Sequence, residues 1–329
     1  MTGLPDTSAP LTAEDAAAAF TAILDGGPSD SQVHDFLLNL SERGETATEI
    51  AAAAAAMRQR MITITAPEGA IDVCGTGGDG LHTLNVSTAV AIVVAACGVP
   101  VAKHGNRAAS SKAGGADTLE ALGVRLEISP EEAERQLADL GICFLFAQRH
   151  HPALGRLAPI RKAIGRRTIF NLTGPLANPA QVKRQIVGIA RPDYVTICAE
   201  AMQKLGMTHA MLVAGEDNMD ELSLSTPNHV AELKDGAIST YRLNATDVGL
   251  SNHPHEAIRG GDAAYNADAL RRLLLGETGA YRDAVLMNAA GALIVAGEVD
   301  GWAAGIEEAA EAIDKGLAHA LLQCWTAWK

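Results

Sequence analysis

Residues 70–97 read AIDVCGTGGDGLHTLNVSTAVAIVVAAC. Ala70–Cys74 is a short strand candidate, and Gly75-Thr76-Gly77-Gly78-Asp79-Gly80 follows it at once. Asn85-Val86-Ser87-Thr88 then opens an apolar run, and a helix is expected from about Ser87 to Cys97. Glycines let a backbone fold close to a ligand with its N–H groups turned toward phosphate oxygens. A helix start at Asn, Ser and Thr adds free N–H groups, hydroxyls and the positive end of the helix dipole. Strand, glycine loop and hydroxylated helix start together read as a phosphate or pyrophosphate cradle. The plainer reading is a tight turn with an ordinary N-cap.

Two common phosphate motifs do not apply. A P-loop needs Gly-Lys-Ser/Thr after its last glycine, whereas Leu81-His82 follows Gly80. Gly75-x-Gly77-x-x-Gly80 meets the dinucleotide pattern, but that fold wants an acidic residue about 20 positions on, for the ribose hydroxyls. Here the next strand, Val99–Lys103, ends in a cation, which suits another phosphate better.

Outward from this unit, strand and helix candidates alternate. Helices are expected at Lys112–Leu122, Pro130–Leu140 and Tyr194–Leu205, and strands at Ile142–Phe146, Ile186–Ala190 and Ala210–Ala214. A meander of Leu222–Ser225, His229–Lys234 and Ile238–Leu243 follows, and the tail from about Asn266 reads as helical. Such alternation predicts a mostly parallel central sheet flanked by helices, with ligand sites at the carboxyl ends of its strands. Before Pro67 the chain reads as all helix. Thr12 and Ser29 or Asp30 start two helices, and Thr46-x-x-Glu49 is a capping box for a third, which carries Ala51–Ala56. The alanines suit close helix packing, within the chain or between subunits, or simply reflect helix propensity. The expectation is an α/β protein with a small helical domain over 1–66, joined by a helical segment at about 151–180, and a large α/β domain over 67–329.

The chain has 329 residues, 26 Lys and Arg against 39 Asp and Glu, and a formal net charge of −13. A nucleic-acid coat needs a cationic face, and a base-stacking surface needs aromatic platforms, yet aromatics make up only 4 %. From Leu140 to Pro192 no acid occurs among nine Lys and Arg residues, Arg161 included; this is either a local anion site or a solvated face. Five widely spaced cysteines with no CxxC pair read as buried free thiols in a reducing compartment. The N-terminal MTGLPDTSAP lacks the pattern of a signal peptide, and no apolar run reaches membrane-spanning length. A cytoplasmic location is expected.

Three further clusters carry chemistry. Lys103-His104-Gly105-Asn106-Arg107 with Ser110, Ser111 and Lys112 offers cations, hydroxyls and a glycine beside the first loop. Asp220-Glu221-Leu222-Ser223 offers adjacent carboxylates able to hold Mg²⁺, although a lone acidic pair is usually surface. Phe170-Asn171-Leu172-Thr173-Gly174-Pro175-Leu176-Ala177-Asn178-Pro179 lies in the acid-free stretch, after His150-His151-Pro152. The paired histidines lack the spacing of a metal site.

In this order GTGGDG, NVST, KHGNRAASSK, GADTLEALGV, HHPA, APIR, RTIFNLTGPLANP, RQIVGIA and DELSL span nearly the whole chain, which resembles the anthranilate phosphoribosyltransferase family. The resemblance implies transfer of the phosphoribosyl group of phosphoribosyl pyrophosphate to the amino group of anthranilate, a step of tryptophan biosynthesis. It implies that Gly75, Gly78, Asp79, Thr83, Asn85, Val86, Ser87 and Thr88 hold the donor. Lys103, Asn106, Arg107, Ser110 and Ser111 close on it. Arg161 pairs with the anthranilate carboxylate, and Gly75, His104 and Asn106 line the acceptor pocket. Ser87, Asp220 and Glu221 organise Mg²⁺, as two ions. No residue is implied as a general base. The resemblance further implies a homodimer through the N-terminal helices and no nucleic-acid or membrane partner. One departure is Gly115, where family members often carry a hydroxyl. The competing readings are a pyrimidine nucleoside phosphorylase-like enzyme, suggested by Lys112–Asp117, and a non-catalytic nucleic-acid-binding paralogue of the same fold. The first generally lacks KHGNR and DELS, and the second is expected to have lost Asp220 and Glu221.

Overall fold

The computed structural model describes residues 3–107 and 112–329. Seven strands form one sheet: β1 (Ile71–Gly75), β2 (Val101–Gly105), β3 (Ile142–Phe146), β4 (Arg184–Gly188), β5 (His209–Gly215), β6 (Asn228–Lys234) and β7 (Ala237–Leu243). Their order is β3-β2-β1-β4-β5-β6-β7. The first five strands are mutually parallel, and β6 and β7 add an antiparallel hairpin at one edge. The chain builds outward from β1 to β3, then returns to place β4 on the other side of β1. That reversal leaves a crevice beyond the carboxyl ends of β1 and β4, where ligands bind in open α/β sheets. The two strands are in register, so both end there in glycine, Gly75 beside Gly188.

The N-terminal helices are α1 (Ala13–Leu24), α2 (Asp30–Arg43) and α3 (Ala47–Arg58), capped by Thr12, Ser29 and Thr46 as expected from sequence. Ser29 and Thr46 each make a complete capping box. The alanine face of α3 is spent inside the chain: Ala51, Ala53, Ala54 and Ala56 are buried in a core that includes α1 and the helix Val195–Lys204. Those buried alanines therefore do not supply a subunit contact. Phe20 of α1 meets Phe36 and Phe170 edge-on, with ring centroids 5.8 and 6.2 Å apart. Phe170 belongs to the short helix Ile169–Thr173, so this later segment packs with the N-terminal helices. The same core continues onto one sheet face through Val187, Ile189, Ala210 and Leu212. The other face, with Val73, Ile186 and Met211, packs on α4 (Val86–Ala96) and the C-terminal helices.

Two expectations need correction. Leu222–Ser225 is not a strand. Its N–H groups are taken by side chains, that of Leu222 by Asn288 Oδ1 and that of Ser223 by Asn228 Oδ1, which leaves no ladder to pair. The thiols are also not all buried: Cys74, Cys143 and Cys198 are, but Cys97 is half-buried and Cys324 is exposed. Among the described residues no helix is long and apolar enough to cross a membrane.

Candidate active site

The loop after β1 is anchored at both ends. The Thr76 N–H donates to the carbonyl of Gly188 at 2.9 Å, and the Thr76 hydroxyl accepts from the Ala190 N–H at 3.0 Å. Gly77, Gly78 and Gly80 have φ of 69°, 76° and 80°, a left-handed run that only glycines make without strain. The segment 219–223 crosses the crevice from the far side. A Cβ at Gly188 would lie 1.6 Å from the Asp220 carbonyl oxygen, and one at Gly75 would lie 2.5 Å from Asp220 Oδ2. The paired glycines thus let this segment descend onto the strand ends. There Asp220 Oδ2 accepts the Gly77 N–H at 2.6 Å, and Glu221 Oε1 accepts the Ser87 N–H at the start of α4 at 3.1 Å. Lys103, buried on β2, donates from Nζ to the Ser87 hydroxyl at 3.2 Å and to the Val73 carbonyl at 2.6 Å. Glycine loop, helix start, acidic pair and lysine are joined in one chain of contacts.

The electrostatics of this cluster are strained. Burial pushes the carboxyl groups of Asp220 and Glu221 above the usual carboxylate range; the Asp79 charge adds to this at Asp220, and the Asp220 charge at Glu221. Lys103 and Arg167 oppose the shift only in part. An excess of negative charge in a low-dielectric crevice is what a divalent cation relieves, and the donors are the hard oxygens that Mg²⁺ prefers. Among the described residues no group of three or more His, Cys, Asp or Glu side chains is arranged to hold an ion. A metal here would need carboxylates, a hydroxyl and non-protein oxygens.

The second cluster surrounds Arg161, in the helix Leu157–Ile164. Its Nη2 donates to Asn171 Oδ1 at 3.1 Å, and no carboxylate lies within ion-pair distance among the described residues. Burial alone pulls on its guanidinium. Asn171 begins a short stretch that ends at Gly174, whose backbone lies near the His104 imidazole. The rings of His104 and His151 are 5.1 Å apart, and both Nε2 atoms are buried without a partner. Burial holds both imidazoles neutral, that of His151 at about 4 and that of His104 well below its ordinary value. Asn106 follows β2, and its Oδ1 accepts from Gln148 at 3.4 Å.

Several sequence candidates are placed differently. Arg107 turns away from the loop toward helix α5 (Gly115–Leu122), where its guanidinium pairs with Asp117 at 3.0 Å and Glu120 at 2.6 Å. The Asn85 amide is consumed by the scaffold, accepting from Thr118 and Asn266 and donating to Ala113 O. Val86 and Thr88 are buried. Thr83 sits in an isolated bridge with Arg259. Ser110 and Ser111 lie outside the described residues. Sequence reading passed over Asp72, buried and bonded to the His104 N–H and to Gln185, and Arg167, which reaches the glycine loop. Arg167 lies in the acid-free stretch, so the charge pattern held the clue without singling it out.

A family model described as glycosyl transferase family, helical bundle domain, matches residues 6–61, and one described as glycosyl transferase family, a/b domain, matches 67–319. The chain is 66 % identical to the anthranilate phosphoribosyltransferase of Novosphingobium aromaticivorans over 99 % of both chains. It superposes on the crystal structure of the Thermus thermophilus anthranilate phosphoribosyltransferase with a TM-score of 0.92 at 42 % identity, covering 97 % of this chain and 96 % of that one. The Saccharomyces cerevisiae enzyme in complex with PRPP and Mg gives a TM-score of 0.86 at 27 % identity, over 96 % of this chain and 93 % of that one. The same yeast enzyme is also known in complex with 4-fluoroanthranilate. With this fold, this crevice and relatives that match it end to end, the chain belongs to the anthranilate phosphoribosyltransferase family.

Proposed function

We propose that the chain joins anthranilate to the phosphoribosyl group of phosphoribosyl pyrophosphate at the crevice beyond β1 and β4. The observation that carries this is the acidic pair, which ties the glycine loop to the start of α4 through the Gly77 and Ser87 N–H groups. In the reaction the bond from the anomeric carbon to the pyrophosphate oxygen breaks, and the pyrophosphate leaves with the electron pair. The anthranilate nitrogen forms the new bond and gives up a proton. Glycine-loop N–H groups, the α4 terminus and Lys103 meet the donor's phosphates and the charge that grows on the leaving group. Arg161, with no carboxylate in ion-pair distance among the described residues, meets the acceptor carboxylate. The amine is neutral at pH 7, so positioning dominates over general base catalysis.

The yeast relative's complex with PRPP and Mg supports Mg²⁺ here; in this reading Ser87, Asp220 and Glu221 hold it, as two ions. Bound there, Mg²⁺ would supply positive charge at the departing pyrophosphate. The reading includes a cytoplasmic location and a homodimer through the N-terminal helices. Light scattering on the purified chain reads the second of these, and a monomeric mass would remove it. The central test follows anthranilate fluorescence. Consumption that requires both phosphoribosyl pyrophosphate and Mg²⁺, and stops with EDTA, is expected. No consumption with both present would overturn the assignment.

A further inference from the structure

Arg167 lies between the helix Leu157–Ile164, which carries Arg161, and the helix Ile169–Thr173. Its Nη1 donates to the carbonyl of Gly77 at 2.9 Å and to that of Gly78 at 3.2 Å. Its Nη2 is buried with no partner, and among the described residues no carboxylate lies within ion-pair distance. A half-buried guanidinium spent on two loop carbonyls, rather than on an acid, acts on the direction of peptide groups. In a trans peptide the carbonyl and the following N–H point in opposite directions. Holding the Gly77 carbonyl toward Arg167 turns the Gly78 N–H away from it. Holding the Gly78 carbonyl does the same for the Asp79 N–H. Neither N–H has a hydrogen-bond partner among the described residues.

Gly77 and Gly78 both have positive φ, so glycine's own conformational preferences do little to stop either peptide from turning over. The loop is fixed at Thr76 and at the Gly77 N–H, which accounts for the two positions before these peptides but not for the peptides themselves. We propose that Arg167 is a positioning residue for the donor: it pins two glycine-loop carbonyls so that the Gly78 and Asp79 N–H groups face the donor's phosphoryl oxygens. The proposal rests on the phosphoribosyl-transfer reading above. It also gives the segment around Arg161 a second task, since the arm that carries the acceptor's arginine shapes the donor's loop.

The test compares wild type with Arg167→Gln and Arg167→Lys in steady-state kinetics for both substrates and in calorimetric binding of Mg²⁺-pyrophosphate, with melting curves as the folding control. Arg167→Gln is expected to raise the KM for phosphoribosyl pyrophosphate about tenfold or more and to weaken pyrophosphate binding similarly, with the anthranilate KM moved less than about twofold. Arg167→Lys is expected to recover part of the loss, because an ammonium donates to carbonyls without the planar fork. If the Gln variant does not fold, the Lys variant carries the same comparison. A donor KM and pyrophosphate affinity within about twofold of wild type would overturn the proposal, as would an equal rise in both KM values. A wild-type chain that binds pyrophosphate in an Arg167-dependent way but does not consume anthranilate would instead sink the functional reading.

Discussion

Arg161 is the residue whose surroundings say most about its partner. A half-buried arginine with one amide contact and, among the described residues, no acid within ion-pair distance has donors to offer an anion from outside. A charge-assisted hydrogen bond contributes about 1.5–3 kcal/mol. Arg161→Ala should therefore raise the anthranilate KM by roughly 10- to 100-fold and leave the donor KM nearly unchanged. Steady-state kinetics with each substrate varied in turn checks this, and equal effects on both would remove the assignment. At Gly115 the structure gives the sequence departure a physical setting. A Cβ there would lie 2.9 Å from the Thr88 hydroxyl, which is buried and without a partner. The position where relatives often present a hydroxyl is thus open only to the extent that Thr88 yields.

At the scale of the element, two features carry most of the consequence. The capping box of α3 reaches beyond its own helix: Glu49 accepts from the Thr46 N–H, from the Leu11 N–H at 2.9 Å and from the Arg43 guanidinium. Burial alone would raise the Glu49 carboxyl, but these hydrogen bonds outweigh it and hold it below its ordinary 4.5. A lowered folded-state value means stability that is present above the unfolded value and lost as pH falls through the folded one. Glu49→Gln should cost about 1.5–3 kcal/mol at pH 7, since it removes the charged partner of the half-buried Arg43 guanidinium, and the gap to wild type should narrow as pH falls below about 4.5. Urea melts across pH check this, and a gap independent of pH would contradict it. The other feature is the glycine pair at the ends of β1 and β4. Gly188→Ala would drive a Cβ into the Asp220 backbone, so the acidic segment must lift from the glycine loop. A fall in kcat/KM of at least about 100-fold is expected, beyond the loss of about 1–3 kcal/mol typical of overpacking. Activity measured beside the melting temperature separates the two effects.

Across the whole molecule the N-terminal helices and the sheet are not independent. Phe20, Ile50 and Met57 share one core with Phe170, Cys198 and Leu212, so α1–α3 bury their apolar faces largely on later parts of the chain. A fragment of residues 1–66 should therefore lack a cooperative thermal transition by circular dichroism, although its capping boxes favour helix. A sharp melt from that fragment would show a self-sufficient bundle. The net charge of −13 is compatible with the two proposed anion sites because neither needs a basic surface. As proposed, one would use backbone N–H groups with the buried Lys103, and the other a half-buried arginine in the acid-free stretch.

The strand, glycine loop and helix start at 70–97, the capped helices and the parallel alternation were all legible in the sequence, because propensity, period and caps act over a few residues. So were Gly75, Ser87, Lys103, Asp220 and Glu221, each marked by a local motif. Distant pairings left no such mark. Leu222–Ser225 has the composition of a strand, yet Asn228 and Asn288 claim its backbone. Arg107 reads as a phosphate ligand from its motif, and nothing local foretold its pairing with Asp117 and Glu120 of α5. The alanines of α3 could have faced any helix, and only packing chose α1 and Val195–Lys204. Arg167 was one basic residue among nine until the fold set it against Gly77 and Gly78, 90 and 89 positions earlier. The sequence by itself determined which groups could bind an anion or a metal, since that follows from side-chain chemistry and local backbone freedom. Only the tertiary structure decided which of them meet, because that depends on the chain reversal that brings β4 beside β1 and opens one crevice at their ends.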